Sequence, residues 1–173
     1  MKINTMSEIR LDKVVINIGI GMNENAIENA KLLIKKLTNH DAGTTLSKRR
    51  DPELKLRKGQ KIGAVATLRG PVALDLLKRT LDANNNTINS SSIARNSLNF
   101  GVKEYIYLSG VKYDPKIGIL GMNINAAFSR GGKRVELRRR KPGVIKKSHR
   151  EIGRDELLEY LKKELNVKLT EGS

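Results

Sequence analysis

At 173 residues the chain fits one domain with room for an appendage, and 34 Lys+Arg against 18 Asp+Glu give it a formal charge of +16. Such a field repels itself unless something anionic neutralises it. Cysteine is absent, which excludes disulfides and thiolate chemistry; aromatics at 3% leave no stacking platform for splayed bases; and no apolar run reaches the roughly 18 residues of a membrane span.

The start, MKINTMSEIR, has no apolar signal-peptide core, so the expected location is the cytoplasm. Lys13 to Gly19 (KVVINIG) is a β-branched run that reads as a buried strand. Gly19 and Gly21 break it, and Asn23 or Asn25 can cap a helix in which Ile27, Ala30, Leu33, Ile34 and Leu37 recur at helical spacing. Residues 44–61 lack a sustained period; a strand near Thr45 to Lys48, a turn at Asp51-Pro52 and a basic loop are expected. Ile62 to Arg69 alternates as a strand. Gly70-Pro71 then sets proline at the first helical position, with Ala73, Leu74, Leu77 and Leu81 as the apolar stripe.

Ala83 to Asn99 is rich in Asn and Ser and reads as a long loop. Glu104 to Ser109 reads as a strand. In Gly121 to Arg130, Met122, Ile124, Ala126 and Phe128 face one way while Asn123, Asn125, Ala127 and Ser129 face the other. A sheet with one apolar and one small, polar face packs helices on a single side and leaves the other free for a flat polar partner. Asp155 to Leu165 closes the chain as a helix with Leu157, Leu158, Leu161 and Leu165 inward. The pattern predicts a single two-layer α+β domain over 1–173: a mostly antiparallel sheet, helices on one face, and a basic arm at 133–150 before the last helix.

The charge excess is local. Residues 44–61 carry seven basic and two acidic side chains and residues 133–150 carry nine and one, so two segments hold +13 of the +16. Solvated surfaces mix signs, whereas clustered Lys and Arg neutralise phosphates and release counterions. Lys133, Arg134, Arg138, Arg139, Arg140, Lys141, Lys146, Lys147 and Arg150 form the larger cluster, expected to run as an extended hairpin or arm along RNA phosphates. Its apolar residues are too sparse for a membrane-surface helix, and Pro142-Gly143 would break one. No helix-turn-helix, zinc finger or basic zipper is legible, so structured RNA is favoured over DNA.

Catalytic signals are weak. His40 and His149 lie far apart with no ligand at helical spacing, and no carboxylate pair is marked for acid–base work. Gly19-Ile20-Gly21 lacks the third glycine of a dinucleotide fingerprint; it reads as a tight turn whose helix start could meet an RNA phosphate. An RNA-modifying enzyme or a free-standing RNA chaperone are the alternatives, and the first would need a cofactor pocket or catalytic dyad that is not written here.

Beyond composition, specific strings carry a resemblance. KVVINIGIG, IGAVATLRG and NFGVKEYI…GVKYDPKIGILGMNI, in matching order from Ile9 to Val167, resemble the large-subunit ribosomal proteins that bind 5S rRNA. GKRVELRRRKPGVIKKSHR and its following helix are similar to the archaeal and eukaryotic branch of that family. The resemblance implies a structural, non-enzymatic constituent of the large subunit with no cofactor, metal, membrane or small-molecule substrate. It implies a place in the central protuberance, holding 5S rRNA against the large-subunit rRNA beside neighbouring ribosomal proteins, with a small-subunit head protein across the bridge. Matched by motif, Asn17, Lys55, Arg57, Thr67 and Arg69 would meet 5S rRNA, and the loop from Lys48 to Leu54, with Lys48, Arg49 and Arg50, would face P-site tRNA. Leu54 stands where bacterial members commonly have Phe, and Asp51-Pro52 where small residues are usual.

Overall fold

The computed structural model describes residues 6–21 and 23–170; the reading of the first five residues as leader-free lies outside that range. Six strands form one antiparallel sheet. Strand β1 (Ile9–Gly19) is central, with β3 (Lys61–Leu68) on one side and β7 (Met122–Arg130) on the other. Strand β2 (Gly43–Leu46) borders β3, while β6 (Ser97–Val102) and the two-residue β5 (Ile93–Ala94) continue beyond β7, giving the order β2-β3-β1-β7-β6-β5. A separate parallel pair joins β4 (Thr87–Asn89) to β8 (Lys168–Thr170).

Alternation along each strand decides the layers. Val14, Ile16 and Ile18 of β1, Ala64, Ala66 and Leu68 of β3, and Ile124, Ala126 and Phe128 of β7 are all buried on one face. Helix α1 (Glu24–Thr38) covers it with Ile27, Ala30, Leu33 and Ile34. Asn23 is its cap, Oδ1 accepting from Ala26 N at 3.3 Å, and Asn39 ends it in the left-handed region at φ 56°. Helix α2 (Pro71–Ala83) starts on the expected proline and buries Ala73, Leu76, Leu77 and Leu81. Leu76 takes the inward place expected of Leu74, which is 38% exposed. Helix α5 (Arg154–Leu165) buries Leu157, Leu161 and Leu165, and Tyr160 meets Phe128 edge-on at 5.8 Å. The two-layer α+β arrangement with helices on one face is as the patterning predicts.

Three segments differ from expectation. Ala83 to Asn99 is not a loop: it holds β4, a 3-10 turn at Ser90–Ser92, β5 and the start of β6. Its asparagines supply corners, with Asn85, Asn86 and Asn96 at φ 54°, 54° and 59°, and its isolated Ile88, Ile93 and Leu98 are buried. Glu104 to Ser109 is not a strand but a 3-10 turn, Tyr105–Tyr107, whose backbone bonds are local: Leu108 N donates to Tyr105 O at 3.1 Å. Tyr105 is buried and its hydroxyl accepts from Asp114 N at 3.0 Å, so an aromatic that resembles strand content serves as a loop anchor. The strand expected at Thr45 to Lys48 lies two residues earlier, as β2.

The arm is also less extended than its charge suggests. Two four-residue helical turns, α3 (Arg134–Leu137) and α4 (Lys147–Arg150), bracket it, and Gly143 N returns to Val135 O at 3.0 Å. Asn96 ties its far end to the sheet, donating to Arg150 O at 3.0 Å and accepting from Ile152 N at 2.7 Å.

Candidate nucleic-acid interface

The sheet face without helices is small, polar and almost uncharged. The strand registers place Thr67, Val15, Asn125 and Asn99 side by side across β3, β1, β7 and β6. The next row is Val65, Asn17, Asn123 and Gly101. Four strands at their usual spacing make each row about 15 Å wide. Asn125 Nδ2 donates to Asn99 Oδ1 at 2.9 Å, while the side chains of Asn17, Thr67 and Asn123 have no hydrogen-bond partner among the described residues. Asn17 is half-buried and Thr67 exposed, so their polar groups point outward and are free to meet another molecule. Gly63 needs its missing side chain: a Cβ there would lie 2.2 Å from Ile18 O.

Cations stand at opposite ends of this face. At the end where β1 finishes, residues 47–60 join β2 to β3. The loop is stitched, not open. Asp51 and Leu56 exchange backbone bonds of 3.0 and 2.8 Å, and Asp51 Oδ1 caps the turn by accepting from Glu53 N at 3.1 Å. Ser47 receives Gly59 N at 2.8 Å, and Arg57 N donates to Gln60 Oε1 at 3.0 Å. Lys48, Arg49, Arg50, Lys55 and Arg57 are exposed, and none has a carboxylate partner among the described residues. The residues expected to face tRNA and those expected to face 5S rRNA thus share one small loop.

At the other end, where β1 begins, the arm follows β7. Here carboxylates already hold some cations. Lys133 reaches Asp12 at 2.6 Å, Arg150 reaches Glu136 at 2.9 Å, and Lys147 lies 3.9 Å from Glu151. Arg134, Arg138, Arg139, Arg140, Lys141 and Lys146 have no such partner among the described residues. Arg138 Nε instead donates to Lys141 O at 2.6 Å, closing the turn before Pro142. Arg69 sits exposed just past β3 at this same end, away from Lys55 and Arg57.

Neither histidine heads a reaction site. His40 Nδ1 lies 2.7 Å from Thr38 O and His149 Nε2 lies 3.2 Å from Gly131 O, so each imidazole donates to a main-chain carbonyl. No group of three or more metal-ligating side chains is found among the described residues, and no described helix is long and apolar enough to cross a membrane. Asp114 is held below its ordinary value of 3.8 by the Lys36 ammonium that donates to it, and then by Lys116 N. That pairing fixes the loop after Tyr105 to α1.

Asn99, Asn123 and Asn125 are the interface residues that sequence reading left out of the site. Alternation already marked Asn123 and Asn125 as outward. Asn99 was hidden because β6 pairs with a strand 26 residues further on, in a segment whose composition resembles a loop.

A family model for the C-terminus of the ribosomal uL5 family matches residues 61–168. The chain is 39% identical over 171 residues to "Large ribosomal subunit protein uL5" of Sulfurisphaera tokodaii, covering 98% of this chain and 97% of that protein. It is 40% identical over 168 residues to the same-named protein of Picrophilus torridus, covering 96% and 95%, and 37% identical over 170 residues to that of Pyrobaculum aerophilum, covering 98% and 94%.

Proposed function

The chain belongs to the ribosomal uL5 family, in its archaeal form, as a structural constituent of the large ribosomal subunit and not an enzyme, and from that premise we propose that it binds 5S rRNA through the helix-free sheet face. One observation carries the reading: two rows of outward, unsatisfied amides, hydroxyls and small residues lie between two clusters of unpaired cations. Uncharged Asn and Thr side chains donate to and accept from base edges and 2′-hydroxyls, while Lys and Arg at the ends take phosphates and fix register. Asn17 and Thr67 make the central contacts, Lys55 and Arg57 flank them at one end, and Arg69 does so at the other. The arm runs along large-subunit rRNA, so that the protein ties the two RNAs together in the central protuberance of the cytoplasmic ribosome.

The loop of Lys48, Arg49 and Arg50 extends this reading to P-site tRNA. It stands beyond the sheet and carries exposed cations with nothing acidic to hold them. Neighbouring ribosomal proteins, one in the small-subunit head among them, complete the set of partners.

The test is sedimentation. The protein should travel with large subunits and keep 5S rRNA after a moderate-salt wash; binding to any RNA with equal affinity would make it a chaperone instead. Replacing Lys48, Arg49 and Arg50 with Ser should leave 5S rRNA affinity nearly unchanged and weaken P-site tRNA retention. A loss of 5S binding equal to that of Asn17→Ala would reassign the loop to rRNA.

A further inference from the structure

We propose that a groove on the helix side of the molecule seats an extended, Lys/Arg-bearing segment of a neighbouring protein of the large subunit. The groove, about 840 Å³, lies between the start of β1, the first turn of α2 and the outer face of α5. Ile9, Leu11, Pro71, Leu74 and Tyr160 give it an apolar floor, and Leu74 is 38% exposed there.

Its walls are acidic in a chain of +16. Glu8 stands on the β1 side, and Glu156, Glu159 and Glu164 on α5. Of the cations nearby, Arg10 is held by Glu8 at 2.8 Å and Arg130 by Glu156. Glu159 and Glu164 keep no basic partner among the described residues and face only Lys163 on the lip. The field converges on the floor: the Tyr160 phenol is pushed up first by burial, then by Glu164 and Glu8 from opposite walls. Residues 151–173 carry six acidic against four basic side chains, so the surface reverses sign here.

That reversal selects the partner. RNA phosphates are repelled, whereas a cationic peptide is steered in. Lys and Arg lay their aliphatic stems on an apolar floor and turn their charges to carboxylates at the rim. The groove also lies on the opposite layer from the polar sheet face, so it stays open when that face is covered. Docking here needs only membership of the large subunit and stands whether or not the 5S rRNA reading holds.

Photo-crosslinking in assembled large subunits tests it, with benzoylphenylalanine replacing Leu74, and separately Lys163. The expected product joins the groove to a Lys/Arg-rich stretch of one identified ribosomal protein. Its yield should fall at least fivefold with Glu159→Lys/Glu164→Lys, less with Glu159→Gln/Glu164→Gln, and not with the equal charge change Glu28→Lys/Asp41→Lys. Crosslinks to rRNA, to this chain's residues 1–5 or to a second copy would overturn the proposal. So would no product from either position, or equal loss in the remote control.

Discussion

Replacing Arg134, Arg138, Arg139, Arg140, Lys141 and Lys146 with Gln would strip the arm of its unpaired cations while leaving the Lys133–Asp12 and Arg150–Glu136 pairs in place. Each phosphate neutralised contributes about 0.7 to 0.9 to the log–log salt slope of binding, so six contacts amount to roughly 4–5. Over a fourfold rise in salt, from about 50 to 200 mM, the native protein should therefore lose roughly 300- to 1,000-fold more affinity than the variant. Fluorescence anisotropy with a large-subunit rRNA fragment, titrated at several salt concentrations, reads both slopes. The comparison variant, Lys133, Lys147 and Arg150 to Gln, should change the slope less per residue, because each of those cations leaves a carboxylate behind when it turns to RNA. Circular dichroism should show α5 intact in both, since Leu157 and Leu161 pack on the sheet side independently of the arm. An unchanged slope in the six-residue variant would mean that the arm is solvated surface, and the charge argument would fail.

Asn17→Ala and Thr67→Ala should each weaken 5S rRNA binding by about 1–2 kcal/mol, roughly 5- to 30-fold, with thermal midpoints unmoved because neither side chain bonds within the protein; early melting with normal binding would assign them to the fold. Gly63→Ala drives a methyl against Ile18 O and should destabilise by roughly 1–3 kcal/mol, read as a lower denaturant midpoint; native stability in that variant would refute the close approach of β1 and β3. The Asp114 carboxyl is depressed in the folded state, so the stability it adds is present above the unfolded value of 3.8 and is lost as pH falls through the lower folded value. Asp114→Asn should accordingly flatten the acid limb of a stability–pH profile, and an unaltered limb would show that the Lys36 pairing does not hold the loop.

What sequence could reveal followed from how local the determinants were. α1 announced itself through its stripe and its Asn cap, α2 through proline at its first position, and β7 through strict alternation; each signal lies within the element it specifies. β4 and β8 were illegible for the opposite reason. Neither has more than three residues, and their ladder joins Asn89 to Thr170, so nothing nearby in the chain announces it. Tyr105 misled because aromatic content is counted toward strands, while its position was decided by a hydroxyl bond to Asp114 N. For the interface, charge clustering located both basic segments. The polar rows became visible only once the register set Asn125 beside Asn99 and Asn17 beside Asn123.

The β4–β8 ladder also sets a clock. The two strands are 81 residues apart at Asn89 and Thr170, and a ribosome adding about 5–20 residues per second needs roughly 4–16 s to cover that distance. Throughout that interval β4 is synthesised but has no mate, while β1 and β3 can already pair. The nascent protein thus spends seconds with one bare strand, and the last ladder to close is made only when residues 168–170 arrive. A molecule bound for the large subunit therefore has a built-in delay between making its core and sealing it, during which a chaperone can hold the bare strand.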